Sequence, residues 1–336
     1  MKAALYTKPN SLNVVSKDLR RLKPTEVLVK VEACGICGTD IHIVAGQSRS
    51  TPPVVLGHEY AGVIQEVGKN VRDLIVGDRV AVDPNISCGR CFHCTRGEVH
   101  LCTNLLALGV DIDGGMAEYS IVPETQIYKV PSTLSMQNSA FIEPVSCVIH
   151  GVDKTRLQAG ASVVIMGAGT IGLLMLQLVK STGASQIGII EPNAQKRALA
   201  LKMGADFAFS PSEAPDGVRN MSEPGADVVI ECVGKPQTMK EAIALARRGG
   251  TVEFFGVCPV GETISMEPNE IYFRELTIVG SYINPHTFTR AVDALSSGAV
   301  GTNELEVSNF PLEGVHEALA ALREGKTTKS IIQPWL

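Results

Sequence analysis

The pattern of hydrophobic and polar positions changes character about halfway along the chain. In the first part, short runs such as residues 26–32 and 62–67 alternate between apolar and polar positions and are separated by turn residues. Alternation with a period of two is typical of half-buried strands. Strands that follow one another without helices between them predict an antiparallel, barrel-like domain.

From about residue 148, continuous apolar runs alternate with amphipathic segments. The predicted strands are 162–166, 186–190, 226–230, 251–256 and 276–281, and the predicted helices are 170–182, 193–203 and 238–247. We expect Asn193 to cap the second helix and Gly249-Gly250 to end the third. Strands and helices at this spacing form βαβ units, so residues 148–283 are expected to form a doubly wound parallel sheet.

The tail, residues 284–336, carries two helical patterns and a final strand at 330–333. A length of 336 residues favours two domains over one. The simplest account is that the tail returns to the first domain, residues 1–147, and that the α/β domain is inserted.

The composition and charge of the chain argue against two classes of binding partner. The chain is 45% hydrophobic and 19% charged, which is enough apolar material for folded cores. A net charge of −5, with acids and bases mixed, argues against nucleic acid or an anionic membrane as the main partner. We find no secretion signal and no uninterrupted apolar stretch of about 20 residues, so a cytoplasmic protein without a membrane span is expected.

The strongest chemical signal is a group of four cysteines within fifteen residues: Cys88, Cys91, Cys94 and Cys102. Their spacing lets four thiolates close on one tetrahedral zinc, and because no coordination position stays open, such a zinc is structural. An iron–sulfur cluster uses the same ligands, and four unrelated thiols are the plainest alternative.

A second candidate metal site is scattered along the first part of the chain. Cys37, His58 and Glu59 supply a thiolate, an imidazole and a carboxylate. These are suitable ligands for a zinc that keeps one position open for substrate. Taken alone, a neighbouring His and Glu more often form a hydrogen-bonded turn.

A glycine motif lies between a predicted strand and a predicted helix. It comprises Gly167, Gly169, Thr170, Ile171 and Gly172, and in this context it predicts a dinucleotide site at a helix N-terminus. Glu191, at the end of the next predicted strand, is placed to accept hydrogen bonds from ribose hydroxyls and to repel a 2′-phosphate, which favours NAD. Arg197 nearby would instead accept a phosphate, and the simpler alternative for Glu191 is a solvated strand end.

Together these segments resemble the zinc-containing medium-chain alcohol dehydrogenase family. The resemblance rests on the run from Cys37 to His42, the run Gly57-His58-Glu59 with Gly62 and Gly68, the four-cysteine lobe and the glycine motif, in that order over essentially the whole chain. It implies a GroES-like catalytic domain and an inserted Rossmann domain. Residues 140–146, Ala-Phe-Ile-Glu-Pro-Val-Ser, are similar to the polyol (sorbitol) dehydrogenase branch.

The resemblance also implies roles for single residues. Glu143 would be the fourth group at the catalytic zinc, exchanging with Glu59, and Cys147 is a competing candidate. Thr39 would accept the proton of the reacting hydroxyl, and His42 would pass it to solvent through the cofactor ribose. Val257 and Ser281 would lie near the nicotinamide.

The expected activity is transfer of a hydride from a secondary hydroxyl of a polyol to NAD, reversible to the ketose, by a homodimer or homotetramer with two zinc ions per chain. Within enzymes, the alternatives are dehydrogenases of a sugar phosphate, an amino-polyol or a small diol. A phosphate would need cations, and the sequence does not place Arg49, Arg274 or Arg290. A non-enzymatic structural relative is the alternative from another class, and it would need none of the candidate ligands.

Overall fold

A computed structural model describes all residues, 1–336, and divides the chain into two compact units. Unit 1 consists of Met1–Pro144, Phe288–Ser296 and Leu305–Leu336, and unit 2 consists of Val145–Thr287 and Ser297–Glu304. Unit 1 is therefore assembled from three stretches of chain. The limits expected from the sequence differ from this division at residues 145–147, 284–287 and 297–304, all of which belong to unit 2.

Strands dominate the first part of the chain, and strands and helices alternate in the second. Up to residue 144 the regular elements are β1 (Lys2–Lys8), β2 (Ser11–Ser16), β3 (Glu26–Gly35), α1 (Gly38–Val44), β4 (Val54–Val55), β5 (Glu59–Val67), β6 (Arg79–Val82), β7 (Asn85–Ile86), β8 (Leu106–Ala107), β9 (Tyr119–Pro123), β10 (Ile127–Lys129) and α2 (Met136–Ser139). Next come α3 (Ile142–Thr155), β11 (Ser162–Met166), α4 (Thr170–Ser181), β12 (Gln186–Ile190), α5 (Ala194–Lys202), β13 (Phe207–Phe209), α6 (Ala214–Met221), β14 (Ala226–Glu231), α7 (Pro236–Leu245), β15 (Ala246–Phe254), α8 (Pro268–Arg274) and β16 (Thr277–Gly280). The tail adds α9 (Phe288–Ser296), β17 (Val307–Phe310), α10 (Val315–Arg323) and β18 (Lys329–Ile332).

Unit 1 is built on a seven-stranded sheet in the order β10-β6-β5-β3-β18-β17, with β9 also paired to β3. The tail strand β18 runs antiparallel to β3, with Ile331 opposite Gly35. Apolar residues from both ends of the chain share one core, for example Val29, Ile64 and Ile332, all fully buried. The predicted antiparallel strands are present, but α1, which follows β3 after two residues, was not predicted.

Unit 2 is a six-stranded parallel sheet in the order β13-β12-β11-β14-β15-β16. This is the doubly wound order of a Rossmann fold, so the expected fold class is confirmed. All five residues of β11 are buried, because a parallel sheet is covered by helices on both faces.

Two details of unit 2 differ from the prediction. The predicted third helix, 238–247, corresponds to α7, which ends at Leu245. Gly249 and Gly250 do not end it but lie inside β15, whose pairing with β14 shifts register near Ala226. The prediction was wrong here because pairing with β14 overrides the local helical preference of the segment. Strand β13 and the helices α3, α6 and α8 were not predicted. None of the helices is long and apolar enough to cross a membrane.

Candidate active site

Three of the predicted metal ligands meet where two strands of unit 1 pair. β3 ends at Gly35, directly opposite Glu59, the first residue of β5. Cys37 follows the end of β3, and His58 precedes the start of β5, so the antiparallel register brings all three side chains to one place. The ligand atoms of Cys37, His58 and Glu59 lie within 4.8 Å of one another. His58 and Glu59 are buried and Cys37 is half-buried.

Asp40, a residue of α1, completes this cluster. Its Oδ2 accepts a hydrogen bond from the backbone N–H of Cys37 at 2.9 Å. Its Oδ1 lies 3.6 Å from Nδ1 of His58, and both of these atoms are buried without a hydrogen-bond partner. A carboxylate facing one ring nitrogen of a histidine fixes the ring and leaves the other nitrogen for a metal.

The electrostatic potential around Cys37, His58 and Glu59 favours a positive charge. Burial opposes the charged imidazole, but the negative charges of Asp40 and Cys37 outweigh it and raise the pKa of His58 well above 6.5. Lys329 on β18 shows the same balance: burial lowers its pKa, and Glu59 and Cys37, followed by Glu143, raise it. A thiolate, an imidazole and a carboxylate in an electronegative, largely buried position fit a divalent cation of the zinc type.

The other residues predicted for this site lie at different distances from it. The Thr39 hydroxyl is 3.6 Å from Sγ of Cys37. His42 is exposed, and its Nδ1 lies 3.1 Å from Oε1 of Gln47. Glu143 is buried but is not among the residues whose ligand atoms lie within 4.8 Å, although its charge acts on Lys329. Cys147 is half-buried on α3, in unit 2.

The four-cysteine lobe is a second cluster in unit 1. The sulfur atoms of Cys88, Cys91, Cys94 and Cys102 lie within 4.8 Å of one another. Backbone N–H groups of Cys88 and Asn104 donate to Sγ of Cys102, each at 3.3 Å. Backbone N–H groups of Cys94 and Thr103 lower the pKa of Cys91 to about 5, whereas burial and the neighbouring thiols raise the pKa of Cys94 to about 11. Donors aimed at sulfur atoms stabilise thiolates, so the lobe fits a cation held by four of them.

Unit 2 carries the glycine motif at the turn between β11 and α4. Gly167 has a φ of +98°, which L side chains rarely adopt. A side chain on Gly172 would overlap the carbonyl of Gly167, so only glycine permits this turn. Apart from its two chain neighbours, no residue has an atom within 4 Å of the position that a Cβ of Gly169 would take, so the turn leaves space for a phosphate at the start of α4, at Thr170 and Ile171.

Glu191 follows β12 at the same end of the sheet and is 8% exposed. Its Oε2 accepts a hydrogen bond from the N–H of Ala168 at 3.0 Å, and its Oε1 accepts one from the N–H of Asn193 at 2.9 Å. The carboxylate is therefore fixed beside the glycine motif rather than solvated at a strand end. The Arg197 guanidinium donates to the backbone carbonyls of Glu191 and Pro192, each at 2.8 Å.

Two family models match the chain. Residues 23–132 match the alcohol dehydrogenase GroES-like domain, and residues 170–297 match the zinc-binding dehydrogenase domain. D-arabinitol dehydrogenase 1 of Uromyces fabae is 33% identical over 340 residues, covering 99% of this chain and 97% of that protein. The chain belongs to the zinc-containing medium-chain alcohol dehydrogenase family. It is thus an oxidoreductase of a family that uses a nucleotide cofactor and acts on small alcohols.

Other members of the family leave the substrate open. L-threonine 3-dehydrogenase of Pyrococcus horikoshii is 36% identical over 344 residues, covering 98% of each chain. A solved structure of a protein from Sinorhizobium meliloti 1021, assigned to the zinc-binding dehydrogenases and bound to NADP, is 42% identical with a TM-score of 0.95 and covers 99% of each chain. All three relatives match over nearly the whole chain, whereas substrate and cofactor do not follow from this similarity.

Sequence reasoning missed two side chains of the site. Asp40 lies inside the Cys37–His42 motif, so its position two residues before His42 was visible although its role was not. Lys329 lies 270 residues from Glu59 along the chain, and no local signal connects the two. Only the pairing of β18 with β3 brings them together.

Proposed function

We propose that this protein is a zinc- and NAD-dependent polyol dehydrogenase that oxidises a secondary hydroxyl to a ketone. The observation that carries the proposal is the buried cluster of Cys37, His58 and Glu59, whose ligand atoms lie within 4.8 Å of one another in a field that favours a cation. A non-enzymatic relative would have no need of three metal ligands that leave a fourth position open. The glycine motif of unit 2 would bind the dinucleotide that accepts the hydride.

The chain's own residues have distinct roles in this reaction. Cys37, His58 and Glu59 hold the metal, and Asp40 orients the imidazole. Zinc bound there supplies Lewis acidity, which lowers the pKa of a coordinated hydroxyl. Thr39, whose hydroxyl is 3.6 Å from the Cys37 sulfur, accepts the substrate proton as it releases its own hydroxyl proton toward the exposed His42, which delivers it to solvent.

Glu143 is proposed as the fourth group at the metal, reached when Glu59 withdraws. Its burial, with 7% of its area exposed, and its effect on the pKa of Lys329 support a position beside the cluster. Cys147 stays the competing candidate for this place.

NAD is the proposed cofactor, held by the glycine motif and by Glu191, with Val257 and Ser281 near the nicotinamide. The fixed carboxylate of Glu191 would repel a 2′-phosphate. Arg197 is engaged by two backbone carbonyls, which reduces its capacity to accept that phosphate. The NADP in the Sinorhizobium meliloti relative is the reason that both cofactors must be tested.

A polyol is favoured over a sugar phosphate because two candidate cations are already engaged. Arg274 donates to Glu270 at 2.5 Å and to the carbonyl of Ile243 at 3.0 Å. Arg49 is paired with Asp111 at 2.9 Å. The similarity to a D-arabinitol dehydrogenase supports the same choice.

We further propose a structural zinc in the four-cysteine lobe, giving two zinc ions per chain, and a homodimer or homotetramer. The edge of the unit 2 sheet at β16 supports association, because an open strand edge and the exposed aromatic side chains Tyr272 and Phe273 on α8 are typical of contact surfaces.

The decisive experiment measures turnover and metal content together. C4 to C6 polyols, their phosphates, L-threonine and butanediol are assayed with NAD and with NADP at 340 nm, and zinc is counted per chain. We expect a polyol with NAD to give the highest kcat/KM, and C37S to lose one zinc and all turnover while it still binds NADH. C147S tests the competing candidate for the fourth ligand, and we expect it to keep both zinc ions. Turnover by C37S without that zinc would refute the proposal.

A further inference from the structure

The ammonium group of Lys329 contacts the carboxylate of Glu59, the proposed metal ligand. Both side chains are buried, with 4% and 3% of their areas exposed. A buried ion pair is retained only where its geometry is well defined, because both charges have lost their hydration. This contact therefore fixes the direction of the Glu59 carboxylate.

The sheet of unit 1 creates this contact through a glycine. β3 lies between β5 and β18, and Gly35 of β3 is opposite Glu59 on one side and Ile331 on the other. A Cβ on Gly35 would lie 2.8 Å from Cε of Lys329 and closer still to Oε2 of Glu59. The two long side chains meet in the space that the glycine leaves.

Lys329 is also surrounded in a way that keeps it in place. Its Nζ lies 5.9 Å from the centre of the ring of Phe141, which is fully buried. Its backbone carbonyl accepts a hydrogen bond from the hydroxyl of Thr327 at 2.9 Å. The side chain therefore extends beside the Phe141 ring to the carboxylate, from a backbone held by Thr327.

We propose that Lys329 is a positioning residue that shares Glu59 with the metal, so that the carboxylate is a displaceable ligand rather than a permanent one. This inference rests on the proposed function, since it needs a metal at Cys37 and His58. The ammonium neutralises part of the negative donor set and competes for the carboxylate. Without it, Glu59 would bind the divalent cation more tightly and would obstruct the position that substrate needs.

The test compares K329M with K329R, and uses K2Q as the matched control because Lys2 forms an exposed pair with Glu313. Zinc release into a chromogenic chelator is followed over time, and C37S identifies which phase belongs to this site. We expect K329M to release this zinc about tenfold more slowly than the wild type, K329R to restore the rate, and K2Q to match the wild type.

A second readout separates positioning from simple loss of structure. In the cobalt-substituted enzyme, K329M should shift the visible ligand-field bands and raise KM for the alcohol more than it lowers kcat, whereas the double variant E59Q/K329M should lose the slow release. Wild-type or faster zinc release from folded K329M, with unchanged cobalt bands, would overturn the role of Lys329 alone. A wild-type chain that holds no zinc sensitive to C37S would overturn the proposed function and this inference with it.

Discussion

Glu253 on β15 allows the sharpest prediction for unit 2. Its side chain is fully buried, and neither carboxyl oxygen has a partner at normal hydrogen-bond geometry. Helix α3 approaches it so closely that a Cβ on Gly151 would lie 2.7 Å from its Oε1. Burial raises the pKa of Glu253 from 4.5 to about 7, while the Ser281 hydroxyl and the Lys154 ammonium act in the opposite direction.

The magnitude follows from that difference. A rise of about 2.5 pKa units corresponds to about 3 kcal/mol between the two protonation states. In the unfolded chain the carboxyl loses its proton near pH 4.5, whereas in the folded unit it keeps the proton until about pH 7. The unfolded state therefore binds fewer protons in this window, and the stability of unit 2 falls as pH rises from about 4.5 to 7.

The perturbation is Glu253→Gln, which keeps the shape of the side chain and stays neutral at every pH. Between pH 5 and pH 8 we expect the variant to gain about 2.5 kcal/mol over the wild type in free energy of unfolding, roughly seventyfold in hydrogen-exchange protection. The measurement is exchange of the β14 and β15 amides, with both proteins compared at each pH so that intrinsic rates cancel. Fluorescence of the single tryptophan, Trp335, is unsuitable because that residue lies in unit 1.

Glu262→Gln is the matched control, since it removes an exposed carboxylate from the same unit. It should leave the difference between pH 5 and pH 8 unchanged. Equal pH dependence in Glu253→Gln and the wild type would show that the buried carboxyl does not keep its proton, and would refute the reasoning.

Three further predictions concern the lobe, the cofactor and unit 1. Cys94→Ser should remove one zinc and at least about 3 kcal/mol of stability, measured by metal analysis and guanidinium unfolding; normal unfolding with lost turnover would contradict a structural role. Glu191→Ser should raise the ratio of kcat/KM for NADP to that for NAD at least about tenfold, and an unchanged ratio would count against Glu191 as the discriminating group. Gly57→Ala places a Cβ 2.7 Å from Cγ of Met116 at a φ of +92°, which side chains rarely adopt. Urea unfolding followed by Trp335 fluorescence should therefore show a free energy of unfolding lower by about 3 kcal/mol, and unchanged stability would mean that the backbone relaxes.

Most of unit 2 could be predicted from the sequence because its signals are local. β11 and β12 are short, continuous apolar runs, and the Asn193 side chain caps α5 by accepting hydrogen bonds from the N–H groups of Gln195 and Lys196, as expected. β13 has only three residues at the edge of the sheet, and α6 contains both a proline and a glycine, so neither gives a periodic signal. Long-range pairing, not propensity, decides such segments.

For the candidate site, sequence spacing identified the donor types but not their arrangement. Cys37 and His58 are twenty-one residues apart, and only the register of β3 against β5 shows that they meet. Glu143 was grouped with them by resemblance, yet it lies outside the 4.8 Å cluster. Lys329 was absent from the prediction because a lysine at the start of a strand carries no sign of its partner.

Three buried glutamates show why the partner, and not burial, decides what a carboxyl group does in this protein. Glu59 contacts the ammonium of Lys329, which balances its charge and, in our proposal, shares the carboxylate with a metal. Glu231 at the end of β14 accepts hydrogen bonds from the N–H of Val233 and the hydroxyl of Thr238, and it ties down the loop after the strand. Glu253, the penultimate residue of the neighbouring strand β15, accepts no hydrogen bond of normal geometry, and keeping its proton reduces the cost of burying it. Since all three occur near strand termini, the different chemistry of these carboxyl groups arises from the neighbours that the tertiary fold brings to each.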